Sequence, residues 1–190
     1  MRYFFILIAL LSQPLFAKPS EAIFAGGCFW CVEADFDKVP GVLETISGYD
    51  GGTEPKPGYA LVSSGKTAYV EVVRVVFDSD KVTYQELLDF YWRHIDPTVQ
   101  NQQFCDVGKQ YRSVIFYLND DQKKAALASI DEIKKRFPKV YTGVIPSTTF
   151  YPAEEYHQDY YQKNPIRYKY YRYNCGRDAR IKELWDEKSS

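Results

Sequence analysis

Cys28 and Cys31 lie three residues apart in a segment that favours thiol chemistry. Two glycines come directly before Cys28, and Phe29 and Trp30 separate the two cysteines. We expect a helix to begin at Cys28, where unpaired N–H groups and the helix dipole favour a thiolate over a thiol. Cys31 would lie on the same helix face and capture whatever forms on Cys28. The pattern predicts redox or nucleophilic chemistry, with the pKa of Cys28 below the usual value of about 8.5.

Glu71 is the second candidate for a chemical role. It belongs to the strand predicted over residues 69–77, and it shares the more apolar face with Val73, Val75 and Phe77. A carboxyl group on such a face has a raised pKa and can hold a proton near neutral pH, as a general acid requires. The alternative is an ordinary ion pair of Glu71 with Arg74 or Lys66.

Other polar residues are weaker candidates. The segment 105–113 is a polar loop before a strand, and it is consistent either with a site or with simple turn chemistry. A Cys–His hydrolase dyad would have to use His94 or His157, the only histidines. The four cysteines contain only one pair at ligand-like spacing, so we expect no metal site.

The first 17 residues have the features of a cleaved signal peptide. Arg2 supplies a positive charge, residues 4–11 form a short apolar stretch, and a small residue, Ala17, ends the segment. The apolar stretch is shorter than the roughly 20 residues that span a bilayer, although an uncleaved anchor is an alternative. We therefore expect residues 18–190 to be one exported, periplasmic domain. Its net charge of −1 does not favour nucleic-acid or membrane-surface binding.

Helices and strands alternate irregularly along the chain. This order predicts a single two-layer α+β domain, with one mixed or antiparallel sheet and helices packed on it, in the manner of an α/β plait. Thr83 and Glu86 form a capping box at the start of a helix. A long helix is predicted over residues 120–137, with Leu127, Ile130 and Ile133 in the core. The remaining predicted elements are strands at residues 22–25, 42–49 and 113–118, a loop at 51–58 and helices at 28–38 and 153–162.

Several motifs resemble, in the same order, those of the peptide methionine sulfoxide reductases of the A type, the MsrA family. They cover residues 26–30, 48–52, 56–59, 69–72, 104–113, 156–158 and 163–165. The resemblance implies thiol-dependent reduction of protein-bound and free methionine (S)-sulfoxide, which repairs oxidised proteins. The reaction would pass through a cysteine sulfenic acid and an intramolecular disulfide. Cys28 would be the nucleophile, Glu71 the proton donor, and Phe29 and Trp30 the apolar wall around the substrate methyl group.

The same resemblance assigns further residues to the site. Tyr59, Asp106 and Tyr111 would stabilise the sulfoxide oxygen, and Tyr156 and His157 would contribute to substrate binding. No cofactor is implied beyond an external thiol reductant. The expected partners are oxidised proteins or peptides and a thioredoxin-fold reductant, with no nucleic acid and no stable membrane association, and the expected state is a monomer.

The identity of the resolving cysteine stays open between two residues. Cys31 occupies a position that is usually glycine in the family, and it is close to Cys28 by construction. Cys175 is the alternative, as a distal cysteine that resolves or relays, and Cys105 is expected to be an inert buried thiol. Two other functions compete: a thioredoxin-like disulfide oxidoreductase, because residues 28–31 form a C-x-x-C, and an exported domain stapled by disulfides.

Overall fold

Six strands form one mixed sheet in the computed structural model, which describes residues 19–186. All neighbouring pairs are antiparallel except one, the parallel pair β6–β7. The spatial order is β7 (Gly143–Pro146), β6 (Val114–Tyr117), β1 (Pro19–Ala25), β3 (Val70–Asp78), β2 (Val42–Asp50) and β8 (Tyr151–Pro152). A separate hairpin consists of β4 (Gln102–Gln103) and β5 (Asp106–Val107). The predicted α+β class with one mixed sheet is confirmed.

The helices pack around this sheet and connect its strands. They are α1 (Phe29–Phe36), α2 (Tyr59–Ser63), α3 (Tyr84–Trp92), α4 (Asp120–Arg136), α5 (Tyr160–Lys163), α6 (Pro165–Asn174) and α7 (Arg177–Trp185). Short 3₁₀ turns occur at Lys109–Tyr111 and Glu155–His157. The capping box at the start of α3 is present as predicted, because the Thr83 side chain accepts from Glu86 N–H and the Glu86 side chain accepts from Thr83 N–H.

The main core lies between one face of the sheet and helices α1, α3 and α4. Val73, Val75 and Phe77 of β3 belong to this core, so the predicted alternation along that strand is confirmed. Burial of apolar side chains between sheet and helices is the main source of stability for such a layer. Because Glu71 points to the same face, its carboxyl group is held against the start of α1.

Helix α4 differs from the prediction in its buried residues. Leu127 is 46% exposed, whereas Ala126 and Ile130 are buried. Trp92 of α3 meets α4 on the side of Ala126 and Ser129, where its indole N–H donates to Ser129 Oγ at 3.0 Å. Ile130 is buried and Ile133 packs against the core as predicted, so only Leu127 departs from the predicted stripe.

The C-terminal third also differs from the prediction. The prediction of a single helix over residues 153–162 is wrong, because Asp159 adopts a left-handed conformation (φ 51°) between the 3₁₀ turn and α5. Beyond residue 164 the chain forms two helices, and Pro165 opens α6 at a position that suits its fixed φ. The predicted signal peptide lies outside the described residues. Within residues 19–186, no helix has both the length and the apolar character needed to cross a membrane.

Candidate active site

Cys28 lies at the junction between strand β1 and helix α1, where it is the N-cap residue. The chain reaches it through Gly27, whose φ is +90°. A Cβ at position 27 would also lie 2.7 Å from the Cβ of Gln103, so both the backbone conformation and the available space require glycine. The expectation that a glycine turn delivers Cys28 to a helix start is confirmed.

Two carboxyl groups occupy the N-terminal end of α1. Phe29 N–H donates to Glu71 Oε2 at 3.1 Å, and Cys28 N–H donates to the carboxylate of Asp106. Glu71 is supplied by β3 and Asp106 by β5. The positive end of the helix dipole therefore acts mainly on these carboxyl groups rather than on the sulfur of Cys28.

Cys28 and Cys31 are buried free thiols that hydrogen-bond to each other. Burial raises the pKa of Cys28 well above its usual range, and the hydrogen bond and negative charges around it add to the effect. The predicted lowering of the Cys28 pKa is therefore wrong. The same hydrogen bond lowers the pKa of Cys31, and although burial opposes this, the charges of Arg177 and Arg172 lower it further. The directions of the two shifts favour a negative charge on Cys31 over one on Cys28.

Glu71 is held in its protonated form. Its side chain is 2% exposed, and burial raises its pKa to about 8, against the opposing hydrogen bond from Phe29 N–H. Within the described part of the chain Glu71 forms no ion pair, and Arg74 lies instead over the ring of Phe150 at 4.6 Å. The buried-acid interpretation therefore prevails over the ion-pair alternative.

A cavity of about 70 Å³ is lined by candidate site residues that come from distant segments of the sequence. This volume suits a small group such as a sulfoxide with its methyl, and not a whole substrate chain. A larger depression of about 590 Å³ elsewhere on the surface is lined by no cysteine. The lining residues of the small cavity are Cys28, Phe29, Trp30, Tyr59, Glu71, Asp106, Tyr111 and Tyr171. All except Tyr171 were expected there.

The aromatic wall of the cavity is held rigidly from behind. The ring of Trp30 stacks on Tyr160 with centroids 3.7 Å apart, and its indole N–H donates to His157 Nδ1 at 3.0 Å. His157 is buried behind Trp30 and does not line the cavity; burial lowers its pKa, so it is a neutral acceptor. Tyr156 is 58% exposed and also lies outside the cavity lining, with its ring 4.2 Å from that of His157.

Two tyrosines bring hydroxyl groups to the cavity. Burial raises the pKa of Tyr59 to about 12 and raises that of Tyr111 as well, so both remain protonated donors. Tyr59 N–H donates to Glu154 Oε1 at 2.8 Å, and Tyr49 Oη donates to Glu154 Oε2 at 2.8 Å. Glu154 was not predicted, because nothing in the local sequence indicates that a residue beside a turn reaches back to α2.

Cys105 and Cys175 are joined in a disulfide across a sequence separation of 70 residues. The prediction that Cys105 is an inert buried thiol is wrong, because Cys105 is exposed at the tip of the β4–β5 hairpin and is bonded. Cys175, the alternative resolving residue, is thus occupied in this state, whereas Cys28 and Cys31 remain free.

A buried charge cluster beneath Cys31 was also missed. Arg177 is 2% exposed; its Nη1 donates to Gly26 O at 2.9 Å and its Nη2 to His94 O at 2.8 Å. Asp35, one helical turn after Cys31, lies 2.8 Å from Arg172 and 3.5 Å from Arg177. The i, i+4 spacing of Cys31 and Asp35 is visible in the sequence, but the arginines that meet them come from α6 and α7.

The fold and this cavity define a thiol-based oxidoreductase, with a paired cysteine, a protonated carboxyl group and hydroxyl donors around one small apolar-walled space. A family model described as "Peptide methionine sulfoxide reductase" matches residues 20–189. The chain belongs to that family, whose members are oxidoreductases that reduce methionine sulfoxide.

Curated relatives support the same assignment. Peptide methionine sulfoxide reductase MsrA 2 of Rhizobium meliloti is 46% identical over 98% of this chain and 93% of the relative. MsrA/MsrB of Vibrio cholerae is 48% identical over 89% of this chain, which spans only 46% of that relative.

Solved structures have the same fold. Reduced Mxr1 of Saccharomyces cerevisiae matches with a TM-score of 0.75 at 35% identity, over 80% of this chain and 88% of that one. Methionine sulfoxide reductase A of Corynebacterium diphtheriae matches with a TM-score of 0.76 at 31% identity, over 82% and 78%. Mxr1 in complex with Trx2 matches with a TM-score of 0.54 at 26% identity, over 78% and 87%.

Proposed function

We propose that this chain reduces the S epimer of methionine sulfoxide, in proteins and as the free amino acid, with Cys28 as nucleophile and Glu71 as general acid. The observation that carries the proposal is that the thiol of Cys28 and a carboxyl group with a pKa of about 8 line the same cavity. A sulfoxide oxygen must gain a proton as its sulfur is attacked, and Glu71 holds that proton at neutral pH.

The first step transfers the oxygen atom from substrate to enzyme. The sulfur of Cys28 attacks the sulfoxide sulfur, and Cys31, once it is ionised, takes the thiol proton of Cys28 along the hydrogen bond between them. Glu71 protonates the sulfoxide oxygen, which becomes the hydroxyl group of a sulfenic acid on Cys28. The substrate leaves as the thioether methionine, so Cys28 gains the oxygen and the substrate is reduced by two electrons.

Substrate orientation follows from the polarity of the cavity. Phe29 and Trp30 offer apolar surface to the S-methyl group, while Tyr59, Tyr111 and Asp106 face the oxygen. The tyrosine hydroxyls are donors at the position where negative charge develops, which is where preorganised donors contribute most. This opposed arrangement of apolar and polar walls is the basis for discriminating between the two sulfoxide epimers. Tyr156 and His157 would act from outside the cavity, His157 by orienting Trp30 through its hydrogen bond.

The second step forms a disulfide between neighbours. The thiol of Cys31 attacks the sulfenic sulfur of Cys28, forming the S–S bond and releasing the hydroxyl group as water. Cys31 is the resolving residue in this proposal because it already hydrogen-bonds to Cys28 and because Arg177 and Arg172 favour its thiolate. Cys175 is bonded to Cys105 and plays no part in this step.

We also propose that the enzyme is exported and is recycled by a thioredoxin-fold dithiol. The N-terminal segment of 17 residues supports export, since the family match begins only at residue 20. The solved complex of a relative with Trx2 supports a reductant of that fold. Thiol–disulfide exchange would return Cys28 and Cys31 to thiols and leave the disulfide on the reductant.

The test compares the wild type, Cys28→Ser and Cys31→Ser on both epimers of a methionine sulfoxide peptide. We expect the wild type to reduce the S epimer, and Cys28→Ser to be inactive. Cys31→Ser should release methionine once and then accumulate sulfenic acid, detected by mass spectrometry. Reduction of the sulfoxide by Cys28→Ser would refute the assignment of the nucleophile, and rapid disulfide formation in Cys31→Ser would refute that of the resolving cysteine.

A further inference from the structure

Two segments that are distant in sequence meet beside the cavity through several links. The segments are the β4–β5 hairpin and helix α6, and the disulfide joins Cys105 at the hairpin tip to Cys175 at the end of α6, with their Cα atoms 4.8 Å apart. Cys105 N–H also points at Cys175 Sγ, at 3.2 Å. Asp106 follows Cys105 directly, and Tyr171 lies one helical turn before Cys175. The hydroxyl Oη of Tyr171 donates a hydrogen bond to Asp106 Oδ2 at 2.7 Å.

Asp106 connects these links to the nucleophile. Its carboxylate accepts from Cys28 N–H on one side and from Tyr171 Oη on the other, and both Asp106 and Tyr171 line the cavity. The position of Asp106 is therefore set by the relation between the hairpin and α6. A shift of α6 away from the hairpin would move two cavity residues at once.

The hairpin is small, and its β4 strand is anchored by Gln103, whose buried side chain exchanges hydrogen bonds with the Asp96 backbone. Each of its strands has two residues, and it is not part of the main sheet. Isolated two-stranded hairpins are only marginally stable even when they are longer. The disulfide adds a covalent link at the hairpin tip, directly beside Asp106.

We propose that Cys105 and Cys175 are positioning residues, whose disulfide fixes Asp106 and Tyr171 against Cys28 and stays closed throughout turnover. The proposal rests on the proposed function, because it assigns Asp106 and Tyr171 to the reacting site. The state of the four cysteines supports it: the Cys105–Cys175 bond is closed while Cys28 and Cys31 are free and paired with each other. The Cys28–Cys31 pair then supplies both electrons that reduce the sulfoxide, and the Cys105–Cys175 pair supplies none.

The first experiment measures a single turnover in the Cys105→Ser/Cys175→Ser variant of the full mature chain. We expect the maximal rate of methionine release to fall by about 10-fold to 100-fold, the scale on which misplaced catalytic groups act. The substrate concentration at half-maximal rate should change much less, and one methionine should still be released per chain. Tyr173→Ser, an exposed position on α6, is the matched control and should behave as the wild type.

The outcomes separate this proposal from its rivals. An unchanged single-turnover rate in the double variant overturns the positioning role. A normal first turnover followed by loss of multiple turnover with dithiothreitol also overturns it, because the pair would then relay electrons. Absence of methionine release by the reduced wild type would instead contradict the proposed function itself.

A second experiment uses the wild type and so does not depend on the variant folding. Free thiols are labelled with iodoacetamide during turnover with dithiothreitol, and the same reaction without substrate is the control. We expect substrate-dependent labelling changes at Cys28 and Cys31, and labelling of Cys105 and Cys175 no greater than in the control. Substrate-dependent labelling of Cys105 or Cys175 would show that their disulfide opens in the cycle, and would overturn the proposal.

Discussion

Glu71→Gln should separate catalysis from stability in this protein. The glutamine Oε1 can still accept the hydrogen bond from Phe29 N–H, so the start of α1 keeps its partner. The variant lacks only the proton that the carboxyl group carries. With a pKa of about 8, Glu71 is about nine-tenths protonated at pH 7 in the wild type. We expect the single-turnover rate of methionine release to fall by about 100-fold or more in the variant, the usual contribution of a general acid.

The same substitution changes how stability depends on pH. The pKa of Glu71 is about 8 in the folded protein and near 4.5 when the side chain is in water. Between these values the folded state binds the proton more tightly than the unfolded state, so the free energy of unfolding decreases as pH rises. Each pH unit corresponds to about 1.4 kcal/mol, and the full interval to roughly 5 kcal/mol, to order of magnitude. Glutamine does not titrate, so this component is absent from the variant.

The assay is denaturant unfolding of both proteins at several values between pH 5 and pH 9, beside single-turnover kinetics. The stability of Glu71→Gln relative to the wild type should improve steadily with pH and level off above pH 8. Over the same range the wild-type rate should decline above pH 8 as the acid ionises. Parallel stability curves would show that Glu71 is ionised in the folded protein. An unchanged rate in the variant would show that its role is structural.

Two further predictions concern Arg177 and the N-terminus. Arg177→Met should slow disulfide formation from the Cys28 sulfenic acid and move its pH midpoint upward, because the loss of positive charge raises the pKa of Cys31. Arg177→Lys keeps the charge and should shift that midpoint less; equal midpoints in all three proteins would contradict the electrostatic role. Export predicts that the protein from a periplasmic extract begins at Lys18, as measured by N-terminal sequencing. Recovery of the intact Met1 form from the cytosol would contradict that prediction.

Several features of the site follow from short stretches of sequence. The glycine turn before Cys28 and the three-residue spacing to Cys31 depend on contacts within one helical turn. The apolar environment of Glu71 follows from the two-residue period of a strand. The start of α3 is specified by its capping box, because those two residues satisfy each other's backbone groups. Such features are predictable because their partners are neighbours in the chain.

The ionisation of Cys28 shows where local reasoning fails. A helix start by itself favours a thiolate, but the carboxyl groups of Glu71 and Asp106 reach the same N–H groups from two other segments. Burial then raises the pKa of Cys28, while the hydrogen bond between the two cysteines and the charges of Arg177 and Arg172 lower that of Cys31. The pKa of Cys28 depends on which residues pack around it and on how far water is excluded. Neither of these follows from residues 26–31 alone.

The sequence alone therefore determined the family of this protein and identified Cys28 and Glu71 as the candidate nucleophile and buried acid. Only the tertiary structure decided the cysteine pairing, the charge cluster around Arg177 and the place of Tyr171 in the cavity wall. The physical reason is distance along the chain. Cys105 and Cys175 are 70 residues apart, and nothing in either segment specifies its partner until the sheet and the C-terminal helices have packed.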